Sequence, residues 1–398
     1  MKALLLENIH PEAERILVES GFEVETRAGA LPEDELIEAL EGVALLGIRS
    51  GTQVTERVLD ATADTLGAVG AFCIGTNQID LAAAAERGVA AFNAPFSNTR
   101  SVVELVIADL IAMARHLTDK NAQMHAGVWD KSARGSHEIR GRTLGIVGYG
   151  NIGAQLSVLA EALGMRVMFY DVADKLALGN ARKCNSLEEL LAECETISLH
   201  VDGRASNKGF FGAKEFAKMR PRSLFLNLCR GMVVDHDALV ENLRSGHIAG
   251  AAVDVFPEEP KSSGDPFVDP LQGIPNVILT PHIGGSTQEA QVDIGRYVAN
   301  KLADFARNGS TLMSVNLPQI QVGQHSGTTR VVCLHRNVPG VMATLNQLFS
   351  DHGANIEFQT LATHGALGYA ITDVSALPEG LHDELEALPD TVRTRVLS

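Results

Sequence analysis

Short apolar runs alternate along this chain with longer stretches whose apolar residues return at helical spacing, the signature of buried parallel strands interleaved with amphipathic helices. Up to about residue 97 the pattern predicts strands at Ala3–Leu6, Phe22–Thr26, Ala44–Ile48 and Leu66–Ala71, with helices from Pro11, from Pro32, near Thr55 and near Asp80. Pro95 then excludes helix, and Ser97 or Asn98 can cap a long apolar helix that runs through Arg115. A second series of strands follows at Leu144–Val147, Arg166–Tyr170, Thr196–Leu199, Ser223–Asn227, Ala251–Val255 and Val277–Leu279. Its helices fall at Ile152–Leu163, Leu187–Ala192, Ala213–Lys218 and Asp235–Ser245, and a helix at Thr287–Arg307 returns the chain to its first domain.

From Gly309 to Gly327 periodicity is lost and Pro318, Gly323 and Gly327 punctuate a polar run, which reads as a linker. The remainder reads strand Arg330–Leu334, helix Gly340–Asp351, strand Asn355–Thr363, strand Tyr369–Val374, helix Leu381–Leu388 and strand Thr391–Val396. That βαββαβ order is the ferredoxin-like arrangement. The fold class is therefore α/β, with two Rossmann-like doubly wound parallel-sheet domains and a ferredoxin-like C-terminal domain. The first domain is discontinuous, residues 1–97 with 285–318; the nucleotide domain spans 98–284, the linker 319–327 and the last domain 328–398.

One stretch carries specific chemistry. Gly148-Tyr149-Gly150-Asn151-Ile152-Gly153 joins a strand to a helix: Gly148 permits the tight turn, Gly150 lets backbone approach a pyrophosphate, and Gly153 lets the helix pack on the sheet. Asp171 ends the next strand, about eighteen residues on, where an acid accepts from the ribose diol and repels a 2′-phosphate. NAD is the cofactor this unit predicts.

Composition narrows the class further. A net charge of −16 repels nucleic acid and anionic lipid, so an anionic substrate must be met by a local basic cluster. No apolar run is long enough to span a membrane, and the N-terminal residues turn acidic too soon for a secretory signal, which predicts a cytoplasmic protein. Five scattered cysteines without C-x-x-C spacing suit reduced thiols and argue against a disulfide framework or a metal site. Buried core is the plain reading of Trp129, the only tryptophan, and a subunit contact the second.

In a doubly wound sheet ligands bind beyond the C-terminal ends of the strands, where His200, Arg230, Asp254, Glu259 and His282 fall. A forked guanidinium suits a carboxylate, and a histidine oriented by a carboxylate suits proton transfer accompanying hydride transfer. Singly, Arg230 also reads as a surface salt bridge, Glu259 as a solvated loop acid and His282 as a helix-cap residue.

The segments F-C-I-G-T-N-Q-I-D-L, F-N-A-P-F-S-N-T-R-S-V, L-G-I-V-G-Y-G-N-I-G, R-G-M-V-V-D, A-G-A-A-V-D-V-F-P-E-E-P and L-T-P-H-I-G-G-S-T-Q-E-A-Q span nearly the whole chain and resemble the D-2-hydroxyacid dehydrogenase family. The resemblance implies Arg230 on the substrate carboxylate, His282 as general acid/base and Glu259 as its partner. It also implies NAD contacts from Asn151, Ile152, Asp171, His200, Leu228, Cys229, Arg230, Asp254, His282, Gly284 and Gly285, and substrate contacts from Arg49, Ser50, Asn98 and Lys131. The substrate implied is 3-phospho-D-glycerate, oxidised in the first step of L-serine formation. Gly51 stands where close relatives carry a second basic residue, leaving Arg27 or no residue in its place, and His200-Val201-Asp202 lacks the usual proline. Another D-2-hydroxy acid such as 2-hydroxyglutarate, or a non-catalytic NAD- or amino-acid-sensing protein, stays open as an alternative. His335, Asn337 and Asn355 resemble the ligand positions of a regulatory ACT domain, which implies L-serine as allosteric inhibitor and a homo-oligomer, a tetramer, assembled through the nucleotide and ACT domains.

Overall fold

The first apolar runs fold as β1 (Lys2–Leu5), β2 (Glu23–Thr26), β3 (Val43–Ile48) and β4 (Ala68–Ala71), and a short β5 (Ala90–Phe92) completes a parallel sheet in the order β2-β1-β3-β4-β5. The computed structural model describes residues 1–260, 264–325 and 327–397. It divides into two compact units, Met1–Ser97 with Gln291–Ser398, and Asn98–Ala290. Helix starts follow local polar chemistry: Thr55, Asp80, Ser186 and Asp235 each accept a backbone N–H of the first turn through their side chains. Each such cap is worth about 1 kcal/mol.

The second unit holds β6 (Thr143–Val147), β7 (Arg166–Tyr170), β8 (Arg182–Lys183), β9 (Thr196–Leu199), β10 (Ser223–Asn227), β11 (Ile248–Val253) and β12 (Val277–Leu279). They form one parallel sheet in the order β12-β11-β10-β9-β6-β7-β8. Strand order reverses between β6 and β9, and a crevice at such a reversal is where open α/β sheets bind ligands. Apolar residues cover both faces, with Leu144, Ile146 and Phe169 in one core and Ile197, Leu199 and Phe225 in the other. The helix Leu117–His125, which no periodicity signals, has no buried residue, so it carries no apolar stripe to read.

In the first unit, β13 (Thr329–Arg336), β14 (Ile356–His364), β15 (Leu367–Val374) and β16 (Thr391–Leu397) build an antiparallel sheet in the order β14-β15-β13-β16. One face packs on its own helices through Val331, Leu345, Phe349 and Leu385. The other face joins Val332, Leu334, Tyr369 and Ile371 to the core formed by Leu5, Phe92, Leu302 and Phe305. Side chains of this sheet also close the C-terminal end of the helix Gln288–Asn308. Arg395 donates to the carbonyls of Phe305 and Ala306, Arg330 to that of Asn308, and the Tyr369 hydroxyl to that of Gly309. Of these, the Phe305 carbonyl also accepts the Gly309 N–H at 3.0 Å, while the carbonyls of Ala306 and Asn308 are among those a helix end leaves without internal partners. Arg330 is buried and held by a two-bonded pair with Asp373, both bonds 2.7 Å. Residues 309–320, which read as part of a linker, have no helix or strand but are packed: Ser310, Thr311, Ser314 and Leu317 are buried, and Thr311 exchanges bonds with Ile320 and Pro318.

Candidate active site

The glycine turn of the second unit fits a dinucleotide by what surrounds each glycine. A Cβ on Gly148 would lie 2.4 Å from the His200 carbonyl oxygen, and one on Gly153 would lie 2.2 Å from that of Gly148, so neither position admits a side chain. Gly150, by contrast, faces open space and caps the helix Asn151–Ala162, leaving room for a phosphate at the N-terminus. Ile152 is half-buried in the first turn of the same helix. Asp171 accepts the N–H groups of Tyr149 at 2.7 Å and Ala173 at 2.8 Å, which fixes its carboxylate at the end of β7 with lone pairs to spare for a diol. His200 follows β9; burial pushes its imidazole down to about 4, so the ring is neutral, and Ser198 holds Nε2 at 2.8 Å while Nδ1 has no partner.

Beyond β10, Leu228 and Cys229 are buried, and burial first of all pushes the Cys229 thiol up to about 11, so it is a packed thiol rather than a nucleophile. Arg230 comes next. Its side chain bonds its neighbour's carbonyl at 2.7 Å and pairs with no carboxylate among the described residues, which sets aside the surface salt bridge. Gly231 packs so tightly on Phe256 that a Cβ would sit 2.0 Å from its carbonyl, locking Arg230's loop to the loop after β11.

That loop brings Glu259 to His282. His282 Nδ1 and Glu259 Oε2 are 2.8 Å apart, and the other Glu259 oxygen accepts the Phe256 N–H at 3.1 Å. Asp254, fully buried, accepts from Thr280 at 2.6 Å, Ile283 N–H at 2.8 Å and Gly284 N–H at 2.8 Å, and so shapes the turn from which His282 projects. His282 pays for that turn with a left-handed backbone, φ +54°. The Glu259 hydrogen bond, opposed by burial, raises the His282 imidazole above its ordinary value. Burial pushes Glu259 upward, but the bonds from His282 and Phe256 outweigh it and hold the carboxyl below the usual range. Arg230 acts electrostatically on both members, so the three side chains share one field. A cavity of about 530 Å³ opens against Glu259, Phe256, Thr280 and His282.

Asn98 occupies the position before the helix Thr99–Ala114 without capping it; its Oδ1 is buried and unpartnered, and its amide fills the space a Cβ on Gly285 would need. Lys131 lies on an exposed stretch without regular structure, beside a Trp129 that is 78 % exposed, which overturns the reading of that tryptophan as core. Arg49 and Ser50 belong to the first unit. There the carboxylate of Glu7, just after β1, accepts the N–H groups of Arg49 at 3.2 Å, Gly51 at 2.8 Å and Thr52 at 2.9 Å. Arg27 is engaged with Glu25 at 2.7 Å. In the last sheet His335 is buried with Nε2 unpartnered, while Asn337 and Asn355 are exposed.

Two residues of structural weight escaped the sequence. Glu7 is one; it sits at the end of a strand, the very signal that picked out Arg230. The other is His236, whose Nδ1 meets Asp269 Oδ2 at 2.8 Å with both side chains buried. Among the described residues no group of three or more His, Cys, Asp or Glu is placed to hold a metal ion, and no helix is long and apolar enough to cross a membrane.

Comparison with known proteins then decides the family. The chain is 49% identical over 401 residues to D-3-phosphoglycerate dehydrogenase of Escherichia coli (strain K12), covering 100% of this chain and 97% of that one. It belongs to the D-2-hydroxyacid dehydrogenase family. The D-3-phosphoglycerate dehydrogenase of Dictyostelium discoideum is 46% identical, with 100% of this chain and 97% of that one covered. Residues 107–284 match the D-isomer specific 2-hydroxyacid dehydrogenase NAD binding domain, and 331–393 an AHAS small subunit-like ACT domain. The solved D-2-hydroxyisocaproate dehydrogenase superposes with a TM-score of 0.71 at 25% identity, covering 79% of this chain and all of that one. The chain is thus an NAD-dependent dehydrogenase whose sequence ends in an ACT domain.

Proposed function

We propose that the chain oxidises 3-phospho-D-glycerate to 3-phosphonooxypyruvate, with Arg230, Glu259 and His282 as its working residues. The observation that carries this is the His282–Glu259 contact at 2.8 Å within the field of Arg230. With the Nδ1 proton donated to Glu259, His282 keeps Nε2 for the substrate hydroxyl and takes its proton there; in the reverse direction it returns it. Glu259 fixes the ring and favours the imidazolium once formed. Arg230 clamps the carboxylate and turns the C2–H bond toward the nucleotide site. Gly148, Gly150, Asn151, Ile152, Gly153, Asp171, His200, Leu228, Cys229, Asp254, Gly284 and Gly285, with Arg230 and His282 at its edge, are the residues that would hold NAD, which would supply the hydride acceptor.

For the phosphate end of the substrate, Arg49 and Ser50 on a turn ordered by Glu7, with Asn98 and Lys131, are the proposed contacts. Gly51 favours a second reading, an unphosphorylated D-2-hydroxy acid such as 2-hydroxyglutarate. A side chain there would start 3.1 Å from both Ala30 Cβ and Glu7 Oε2, so the turn as built has no ready space for an added cation. Relative kcat/KM for 3-phosphoglycerate and 2-hydroxyglutarate tests the choice: a phosphorylated substrate preferred by tenfold or more is expected, and the reverse preference overturns it.

The C-terminal domain is proposed to bind L-serine between two chains. β14 is an edge strand carrying exposed Phe358 and Leu361, a surface suited to pairing with a second copy, and His335 and Asn337 lie at the other end of the same sheet system from Asn355. Serine inhibition of turnover, abolished by Asn337→Ala or Asn355→Ala with catalysis spared, is the expected result. Calorimetry without a serine signal on the intact oligomer overturns it. Assembly as a tetramer belongs to the same proposal.

A further inference from the structure

The seven-stranded sheet has a second end, opposite the dinucleotide turn. There Arg142, Glu195, Arg222 and Asn276 immediately precede β6, β9, β10 and β12 and line, with Arg220 and Ser223, a cavity of about 230 Å³. Two separate observations mark it as built for a ligand. The first is charge. Glu195 is the only carboxylate in the lining and is already spent, 3.4 Å from Arg142 and accepting the Thr143 N–H at 3.1 Å. Among the described residues no carboxylate pairs with Arg222, and Arg220 bonds only the Glu193 carbonyl, at 3.3 Å. Burial first, then Arg142 and Arg222, push the neighbouring His137 imidazole below its ordinary value, with Glu195 opposing them.

The second observation is unpartnered polar atoms. Ser223, 1% exposed, and Asn276, 4% exposed, line the cavity with Ser223 Oγ and Asn276 Oδ1 buried and without a hydrogen bond. A buried polar atom left so costs about 1–3 kcal/mol unless something occupies the cavity. The Asn276 amide cannot rotate to relieve this. Its Nδ2 donates to the Ala249 carbonyl at 2.9 Å, so Oδ1 is held on the other side as an acceptor; the backbone N–H separately donates to Asp119 at 3.0 Å.

We propose that this cavity binds inorganic phosphate as hydrogenphosphate. Its unprotonated oxygens accept from the guanidinium groups of Arg220 and Arg222 and from the Ser223 hydroxyl, and its one remaining hydroxyl donates to Asn276 Oδ1. The cavity holds a tetrahedral anion together with several waters, each of which takes roughly 30 Å³. The acceptor is what makes the site selective. Sulfate has no proton at neutral pH and would set an oxygen against Oδ1 with nothing between them, and a phosphate monoester dianion has lost the same hydroxyl.

Equilibrium dialysis with radiolabelled inorganic phosphate, on the full-length protein at constant ionic strength, tests this. One saturable phosphate per chain is expected, with sulfate competing at least tenfold more weakly. Arg222→Gln and Asn276→Asp should each weaken binding by roughly tenfold or more, as loss of a charge-assisted bond or introduction of a facing carboxylate requires. Arg49→Gln should leave it unchanged. Equal competition by sulfate reduces the cavity to an unselective basic patch and overturns the proposal. Loss of binding in Arg49→Gln alone moves the phosphate to the first unit and overturns it equally, as does the absence of saturable binding. Arg222 is exposed, so its variant tests the site even if Asn276→Asp fails to fold.

Discussion

Two histidine–carboxylate pairs in the second unit have the same contact and opposite surroundings. His282 Nδ1 meets Glu259 at 2.8 Å with side chains 51% and 36% exposed; His236 Nδ1 meets Asp269 at 2.8 Å with side chains 6% and 7% exposed. The outer pair lines a cavity that can admit a substrate and is half-exposed. The inner pair leaves Nε2 buried and unpartnered, packed near Phe256, with the second Asp269 oxygen accepting the Leu271 N–H. Equal distance therefore does not make the two pairs equivalent: only the outer one is open to a molecule from outside. The inner pair ties the start of the helix His236–Arg244 to the loop that carries Glu259.

Replacing each histidine should separate these roles. The larger effect is expected from His282→Ala, which should lower kcat by roughly a hundred- to ten-thousandfold with NADH binding nearly unchanged. Turnover close to that of the parent enzyme would place the proton-transfer group elsewhere. His236→Leu strands a buried carboxylate, and should cost on the order of 3 kcal/mol in urea unfolding while the folded fraction keeps turnover within a few-fold. A fall in kcat comparable to that of His282→Ala, without loss of stability, would erase the distinction between the pairs.

The smallest effect is a shift in pH. Because Glu259 raises the His282 imidazole, Glu259→Gln should move the acid limb of 3-phosphoglycerate oxidation, which needs neutral His282, to lower pH. The alkaline limb of the reverse reaction, which needs the imidazolium, should move the same way. For stability the signs differ between partners. The raised histidine stabilises below its ordinary 6.5 and loses that contribution as pH rises through its folded value; the depressed carboxyl stabilises above its ordinary 4.5 and loses it as pH falls. The pair's contribution is thus full between about 4.5 and 6.5, and an unfolding midpoint insensitive to Glu259→Gln across that window would show that solvent cancels it.

The parallel sheets and the βαββαβ domain could be read from the chain because buried strands leave continuous apolar runs and amphipathic helices leave a stripe. β5 and β8 are too short to leave a pattern, and the exposed helix Leu117–His125 has no apolar face to leave one. The ends of strands point to Arg230, Glu259 and His282, and the family resemblance implies their roles. Their bond lengths, and the locking of Gly231 onto Phe256, depend on loops whose course no local signal encodes. Asp269 shows the limit most clearly: a lone acid in a proline-flanked loop has nothing to mark it as the partner of a histidine 33 residues earlier.

The closed end of the helix Gln288–Asn308 bears on what the ACT domain is. Four carbonyls in the last turn of that helix and at its exit accept from Arg330, Tyr369 and Arg395, and the sheet that carries those side chains shares a core with Phe305 and Leu302. A chain cut at residue 327 would therefore lose more than its ACT domain. It would return those carbonyls and an apolar wall to water, so that the regulatory domain, separable as a paragraph of sequence, is inseparable as a piece of masonry from the unit on which it leans.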